Sequence, residues 1–207
     1  MAAQLPVVFR SGGGDNTFSF DWFDAVAGAG YKSFYAAGAK NSAGNIYFLT
    51  TNSTFKSDEG NFTVDGDSRD LDFDITFNQP ITIAAADVFI QYGLIMNGID
   101  ANNMTPTFKI YHVTSGGTET ELLSVVGPTT SDADPVRRET RLVKAAITSK
   151  VIKIGEKIRF NLTTSSTNMG ANCVFYYDPS GHLTFTDGTG GTGNSSLKID
   201  IPFKIAL

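Results

Sequence analysis

Carboxylates in the first half of the chain are the residues whose types and spacing could most readily do chemistry. Calcium binds several carboxylate and carbonyl oxygens at once, so a calcium site needs a cluster of acidic residues. Residues 65–70 depart from the EF-hand pattern, because Asp70 stands where that loop requires glycine and Arg69 adds a positive charge. We therefore predict no cofactor, and Asp65, Asp67 and Asp70 are the calcium candidates if the chain binds this ion. The full cluster is Asp58, Glu59, Asp65, Asp67, Asp70, Asp72 and Asp74.

A second use of carboxylates is acid–base catalysis by a pair. Asp72 and Asp74 are two residues apart in an alternating segment, which places them on one strand face at a separation of about 7 Å. That separation is near the spacing of the two carboxylates in glycosidases. Alternating aspartates are nevertheless typical of the solvated face of an ordinary strand. We predict no catalytic residues and a protein that is not an enzyme.

The other reactive side chains are two histidines and one cysteine. His112 alternates with Tyr111 within a strand pattern, so we expect a half-exposed sheet residue, and His182 follows a turn. Cys173 begins an apolar run and is predicted to be a buried structural thiol; with a single cysteine, no intrachain disulfide can form. No nucleophile elbow or zinc-binding spacing occurs, and the glycine-rich segment 188–195 lacks the lysine of a phosphate-binding loop.

Alternating strands must position these residues. In residues 71–77, four apolar side chains alternate with Asp72, Asp74 and Thr76, which predicts a strand with one buried and one wet face. About nine or ten such segments are separated by turn residues. Residues 139–147 could form a short helix, but β-branched residues favour strands across 139–154. The pattern predicts an all-β fold: an antiparallel β-sandwich, jelly-roll-like or a related Greek key.

The beginning of the chain reads as an irregular arm. We place the arm at residues 1–40 and a single β-sandwich domain at 41–207. A glycine-rich joint at 11–16 precedes a cluster of aromatic side chains. This cluster either closes one end of the domain's own core or docks on a neighbouring subunit, since aromatic anchors are favoured at interfaces. The interface candidates are Phe18, Phe20, Trp22 and Phe23.

Composition narrows the classes of partner. The chain has 207 residues with a formal net charge of −5, which argues against a nucleic-acid partner. No segment approaches the roughly 20 apolar residues of a membrane span, so we predict no membrane partner. Residues 1–9 lack a basic region and a long apolar run, so we expect no signal peptide in this sequence. The protein is made in a cytoplasm, or its signal has been removed.

Three segments give the chain a resemblance to known proteins: VIKIGEKIRF at 151–160, YDPSG at 177–181 and IDIPF at 199–203. Their sequence pattern of strands and turns resembles that of small β-sandwich virion structural proteins of tailed bacteriophages, of the head decoration or minor capsid type. The resemblance implies a capsid decoration or auxiliary protein that is located in the virion. It also implies that the protein acts through self-assembly, with a trimer as one arrangement, and through contacts to the major capsid protein or other virion proteins.

A carbohydrate-binding or adhesin-type module is the alternative. In such a module, exposed aromatic side chains stack on sugar rings, and calcium would brace residues 65–74. The tyrosines considered for this role are Tyr31, Tyr35, Tyr92 and Tyr176.

Overall fold

A computed structural model of the chain describes residues 18–19, 29–42, 44–58, 60–64, 68–96, 103–131, 137–167, 173–180 and 196–204. Within these residues the regular elements are all strands. Among them, no helix has the length and hydropathy needed to cross a membrane. In chain order the strands are β1 (Phe18–Ser19), β2 (Ala29–Asn41), β3 (Gly44–Thr50), β4 (Asn61–Val64), β5 (Asp70–Thr76), β6 (Ile81–Ile83), β7 (Asp87–Met96), β8 (Asn103–Val113), β9 (Glu119–Val126), β10 (Thr130–Ser131), β11 (Arg137–Ala146), β12 (Lys150–Ile152), β13 (Lys157–Thr167), β14 (Cys173–Tyr176) and β15 (Lys198–Lys204).

Four antiparallel pairs define the topology, and each pair is nested within the one before it along the chain. Strand β2 pairs with β15, β5 with β13, β7 with β11 and β8 with β9. Pairing of β15 with β7 completes sheet I, in the order β2-β15-β7-β11, and pairing of β13 with β8 completes sheet II, in the order β5-β13-β8-β9. Two four-stranded sheets connected in this way form a jelly roll. The predicted all-β sandwich is confirmed.

The core lies between the two sheets and follows from the alternation of side chains along each strand. Buried and partly exposed residues alternate along β8, with Phe108 and Ile110 pointing inward. Phe160 of β13 packs between Phe108 and Phe73 of β5, at ring-centroid distances of 5.9 and 6.3 Å. Fully burying one such side chain contributes about 1.5–3 kcal/mol, so this cluster fixes the register of sheet II.

Short strands complete the edges and ends of the sandwich. Strand β3 extends sheet I beside β2, and a single parallel bridge between Phe48 and Asp74 joins it to β5 of sheet II. At one end β14 and β4 continue beside β7, beyond the start of β15. At the other end β6 lies between β12 and Phe203 of β15.

The predicted boundary at residue 40 falls inside a strand and is corrected by the structure. Residues 29–41 form β2, an inner strand of sheet I whose Phe34, Ala36 and Ala37 are completely buried. These residues therefore belong to the sandwich and not to an arm. Of the rest of the predicted arm, the structure describes only Phe18–Ser19, which pairs with β2 as β1.

Candidate functional site

Asp70, Asp72 and Asp74 lie on the outer face of sheet II, beside basic and amide side chains of β13. Arg159 donates two hydrogen bonds to Asp74, from Nε to Oδ1 at 2.7 Å and from Nη2 to Oδ2 at 3.0 Å. Its Nη1 lies 3.0 Å from Oδ2 of Asp72 and 2.7 Å from Oε1 of Glu119. One guanidinium therefore binds three carboxylates from two other strands.

Two further side chains of β13 bind the same carboxylates. Asn161 donates from Nδ2 to Oδ1 of Asp70 at 2.5 Å and to Oδ1 of Asp72 at 2.8 Å. Nζ of Lys157 lies 3.3 Å from Oδ2 of Asp74. We call this network the ladder; its members are Asp70, Asp72, Asp74, Glu119, Lys157, Arg159 and Asn161.

The ladder sets the charge state of its own members. Partial burial raises the pKa of Asp74, but hydrogen bonds and charges from Arg159 and Lys157 outweigh it and hold the pKa below its ordinary value. The hydrogen bonds to Asp74 in turn raise the pKa of Arg159. Asp74 is thus an ionised carboxylate whose two oxygens are already bound. A general acid needs a raised pKa and a free proton position, so this geometry does not suit Asp74 to the role of glycosidase acid.

The calcium candidates are only partly described. Asp70 accepts a hydrogen bond from Asn161, whereas Asp65 and Asp67 lie outside the described residues, as does Glu59. Asp58 lies apart from the ladder and accepts a hydrogen bond from the backbone N–H of Lys40 at 3.1 Å. Within the described ranges, no group of three or more His, Cys, Asp or Glu residues could hold one metal ion. Calcium binding by Asp65, Asp67 and Asp70 stays a prediction.

A buried pair, His112 and Glu156, was not predicted. His112 is 4% exposed and points into the core, which corrects the expectation of a half-exposed residue. Glu156, 8% exposed, lies in the turn between β12 and β13. Its Oε2 accepts hydrogen bonds from Nε2 of His112 at 2.7 Å and from the backbone N–H of Lys153 at 2.8 Å. The backbone bond from Lys153 and the bond from His112 lower the pKa of Glu156, against the effect of burial.

The pair anchors a tight turn at residues 153–156. The Glu156 N–H donates to the Lys153 carbonyl at 3.1 Å, and Gly155 has a φ of 79°, which a glycine adopts without strain. Phe77 binds the turn from β5's side, donating to the Glu156 carbonyl at 3.2 Å and accepting from Gly155 N–H at 2.9 Å. Backbone and side-chain bonds therefore hold this turn on both sides.

The outer face of sheet I is aromatic. Tyr31 and Phe89 are in contact, with ring centroids 5.7 Å apart, and Tyr35 lies farther along β2. Ser33 lies between Tyr31 and Tyr35 on β2, and its hydroxyl donates to Oδ1 of Asp200 at 2.6 Å. Of the tyrosines considered for sugar binding, Tyr31 and Tyr35 lie on this face half-buried, whereas Tyr92 and Tyr176 are buried in the interior and cannot stack on an external sugar.

The remaining predicted residues have structural positions or are not described. Cys173 is completely buried, as predicted, and burial raises the pKa of its thiol to about 12. His182, Phe20, Trp22 and Phe23 lie outside the described residues. Phe18 is in β1, and the interface role of these four aromatic residues remains a prediction.

Sequence reasoning missed Glu156 and four members of the ladder, which are Glu119, Lys157, Arg159 and Asn161. Arg159 and Asn161 stand at alternate positions of β13, and their polar character within a strand is a signal that could have been read. The sequence did not show that they would lie beside β5, 85 or more residues away along the chain.

No protein-family model matches the chain, and no curated protein matches it in sequence. Among solved structures, the chain is similar to two crystal structures of a CocE/NonD family hydrolase from Staphylococcus aureus, with TM-scores of 0.49 and 0.50 and identities of 12% and 11%. These matches cover 84% and 86% of this chain but only 37% of each hydrolase chain, so this chain spans well under half the hydrolase's length. The structure of infectious bursal disease virus, Gx strain, matches 85% of this chain and 58% of that chain at 12% identity, but its TM-score of 0.22 is too low to support an inference.

The hydrolase structure with a TM-score of 0.50 corrects the prediction that the chain is not an enzyme. It shares this fold, so a similar fold forms part of a hydrolase chain. At 11% identity the likeness concerns the fold alone and transfers no catalytic residue to this chain. The prediction relied on the lack of a recognisable catalytic motif, and on this finding it is wrong.

Proposed function

We propose that the chain is a structural protein of a virus particle, a capsid decoration or auxiliary protein that acts through self-assembly and contacts with the shell. The observation that carries this proposal is the contrast between its surfaces. On sheet II the ladder binds its own charges to one another, which makes that face a rigid, self-contained support. The outer face of sheet I instead carries the aromatic rings of Tyr31 and Phe89 beside polar groups. The turn at 153–156 carries the exposed side chain of Ile154.

The jelly roll itself adds support at the level of analogy. Double-sheet jelly rolls recur in viral capsid proteins, and also in lectins, because two packed sheets leave loops and faces free to vary. A decoration protein needs a scaffold that keeps its shape while its surfaces make contacts. The ladder and the buried His112–Glu156 pair both supply rigidity of that kind.

The proposal includes the partners and the location. The protein would be located in the virion, after synthesis in the host cytoplasm, and would bind copies of itself, with a trimer as one arrangement. It would also bind the major capsid protein or other virion proteins through the aromatic residues Phe18, Phe20, Trp22 and Phe23. Sedimentation of particles through a density gradient tests this. Co-migration of the protein with the shell is expected, and its retention in the soluble fraction would contradict the proposal.

A carbohydrate-binding module is the second candidate, and the position of Tyr31 and Tyr35 favours it. Both are on the outer face of sheet I, beside the hydrogen-bonding groups of Ser33 and Asp200. Aromatic rings beside polar groups suit the apolar and hydroxyl faces of a sugar. A glycan array probed with the purified protein separates the candidates: glycan binding that is lost on Tyr35→Ala would favour this one, with Tyr111→Ala on sheet II as the control.

A further inference from the structure

The corner of the sandwich formed by β12, β6 and the end of β15 carries exposed aliphatic side chains among lysines. Ile154 is 67% exposed and Val151 is 54% exposed, and they are three residues apart. Lys150 and Lys153 flank Val151 on the same segment. Lys150 of β12 and Phe203 of β15 pair with Ile83 of β6 from its two sides. Lys204 follows Phe203 in the chain, so its backbone lies about 10 Å from that of Lys150, across two strand spacings. We call Lys150, Val151, Lys153, Ile154 and Lys204 the corner patch.

The lysines of the corner patch differ from those on the sheet faces. Lys109, Lys144, Lys157 and Lys198 each have a carboxylate within 3.3 Å. In the described part of the chain, no carboxylate lies within ion-pair distance of the ammonium groups of Lys150, Lys153 or Lys204. The nearby Glu156 carboxylate is turned inward, to His112 and the backbone of Lys153. The corner patch is therefore positive, although the chain has a net charge of −5.

The apolar tip of the patch is held rigidly. Ile154 occupies the second position of the turn that Glu156, His112 and Phe77 anchor. Exposed turn tips are usually polar, because an apolar side chain there gains nothing from burial in its own chain. A turn whose backbone is already fixed loses less conformational entropy when a partner covers it. The buried pair thus gives the exposed Ile154 a preorganised backbone, which an interface anchor needs.

We propose that the corner patch docks into an apolar pocket rimmed by carboxylates on a different protein of the particle. This inference rests on the proposed function and names the chemistry of its partner. Charge complementarity carries it: Lys150 and Lys153 adjoin Val151 and Ile154 along the chain, and Lys204 lies across β6 from them. Apolar side chains next to lysines that have no carboxylate at ion-pair distance among the described residues match a binding anchor with a charged rim.

A second copy of this chain fits the patch less well. On the surfaces that the structure describes, most of its exposed carboxylates are already bound to a cation or a side-chain amide, and Asp58 is bound by a backbone N–H. The carboxylates with a cation or a side-chain amide are Asp70, Asp72, Asp74, Asp87, Glu119, Glu121 and Asp200. A membrane surface also fits less well, because the patch has no aromatic side chain of the kind enriched at lipid interfaces.

Carbodiimide cross-linking of purified particles tests the contact, because the reagent joins a lysine amine directly to an adjacent carboxylate. We expect Lys150, Lys153 or Lys204 to be joined to an aspartate or glutamate of a different chain. Ile154→Asp should lower the number of particle-bound copies at least about ten-fold. Val126→Asp is the matched control, since Val126 is 63% exposed but lies on β9 of sheet II. It should leave the number of copies unchanged, and both variants should keep the melting temperature of the unsubstituted protein.

Several outcomes would overturn the docking proposal. Cross-links from these lysines only to a second copy would make the patch a self-association surface. Binding of the purified protein to vesicles of equal phosphatidylserine and phosphatidylcholine, lost on Ile154→Asp, would reassign it to lipid. Full retention of Ile154→Asp on particles would refute the docking contact and leave the proposed function standing. Absence of the unsubstituted protein from particles would instead contradict the proposed function, and the docking contact with it.

Discussion

Arg159 on β13 and Asp74 on β5 are paired on neighbouring strands of sheet II, and their side chains share two hydrogen bonds, of 2.7 and 3.0 Å. This bidentate pairing gives the acidic stretch of the chain a structural role. Aspartate is a residue type that binds metals and transfers protons, but Asp74 is bound to a permanent cation. The same guanidinium also reaches Asp72 and Glu119, so one side chain joins three carboxylates of this face.

Replacing Arg159 should destabilise the fold. Arg159→Ala removes the guanidinium that three carboxylates share and leaves Asp74 with Lys157 as its cation. We expect a loss of about 1–2 kcal/mol in the free energy of unfolding, because solvent screens part of the effect. Arg159→Lys keeps the charge but loses the bidentate geometry, and it should lose about half as much. Urea denaturation at pH 7 measures both.

The pH dependence of that loss follows from the lowered pKa of Asp74. When folding lowers the pKa of a carboxyl group, the stabilisation is fully present at pH values above the pKa of the unfolded state, about 3.9 for aspartate. The stabilisation is lost as the pH falls through the pKa of the folded state. The difference between Arg159→Ala and the unsubstituted protein should therefore shrink below about pH 4. A difference that stays constant down to pH 2 would show that Arg159 acts through packing alone.

Glu156→Gln tests the anchor of the turn at 153–156. The variant keeps the shape of the side chain but removes the charge that strengthens the bonds from His112 and Lys153. We expect its melting temperature to be lower by a few degrees at pH 7. Because the pKa of Glu156 is lowered on folding, the gap should close as pH falls through that pKa. Equal melting temperatures at neutral pH would mean that the backbone bonds suffice.

The thiol of Cys173 should be inert in the folded protein. It is completely buried, and with a pKa of about 12 only about one molecule in ten thousand carries the thiolate at pH 8. Reaction with a chromogenic disulfide reagent should be negligible until denaturant is added, and should then proceed to one equivalent. Rapid reaction under native conditions would place the thiol at an accessible surface.

Calcium should leave the stability unchanged, because the ladder's own side chains already bind the aspartate oxygens for which the ion would compete. Asp70 and Asp72 already bind Asn161, and Asp74 binds Arg159 and Lys157. We expect equal melting temperatures in EDTA and in millimolar calcium. A rise with calcium that is abolished by Asp67→Asn, but retained in Asp87→Asn, would instead establish the site at Asp65, Asp67 and Asp70.

The strands were predictable where polar and apolar residues alternate without interruption. Residues 71–77 meet that condition and form β5, because one face of the strand is buried and the other is solvated. Strand β2 was missed because its sequence, AGYKSFYAAGAKN, is rich in alanine and glycine and has little contrast between its faces. Its place in the sheet depends on pairing with β15, more than 150 residues later, which no local pattern reports.

The acidic residues were found from sequence, but their partners were not. Strand pairing places Arg159 opposite Asp74, and the sequence does not state which strands pair. Likewise, His112 alone predicts an exposed ring, because burying an unpaired imidazole is costly. Glu156, 44 residues away, makes the burial tolerable, and that compensation becomes visible only when the chain has folded.

Counting the copies of this protein in purified particles tests the central claim most directly. Quantitative mass spectrometry of gradient-purified particles would compare its peptides with those of the major shell protein. The account predicts that the protein migrates with the particles in a number on the order of hundreds of copies, because a decoration protein covers the whole symmetric shell. A few copies would move it to the tail or neck, and its complete absence from the particles would contradict the account.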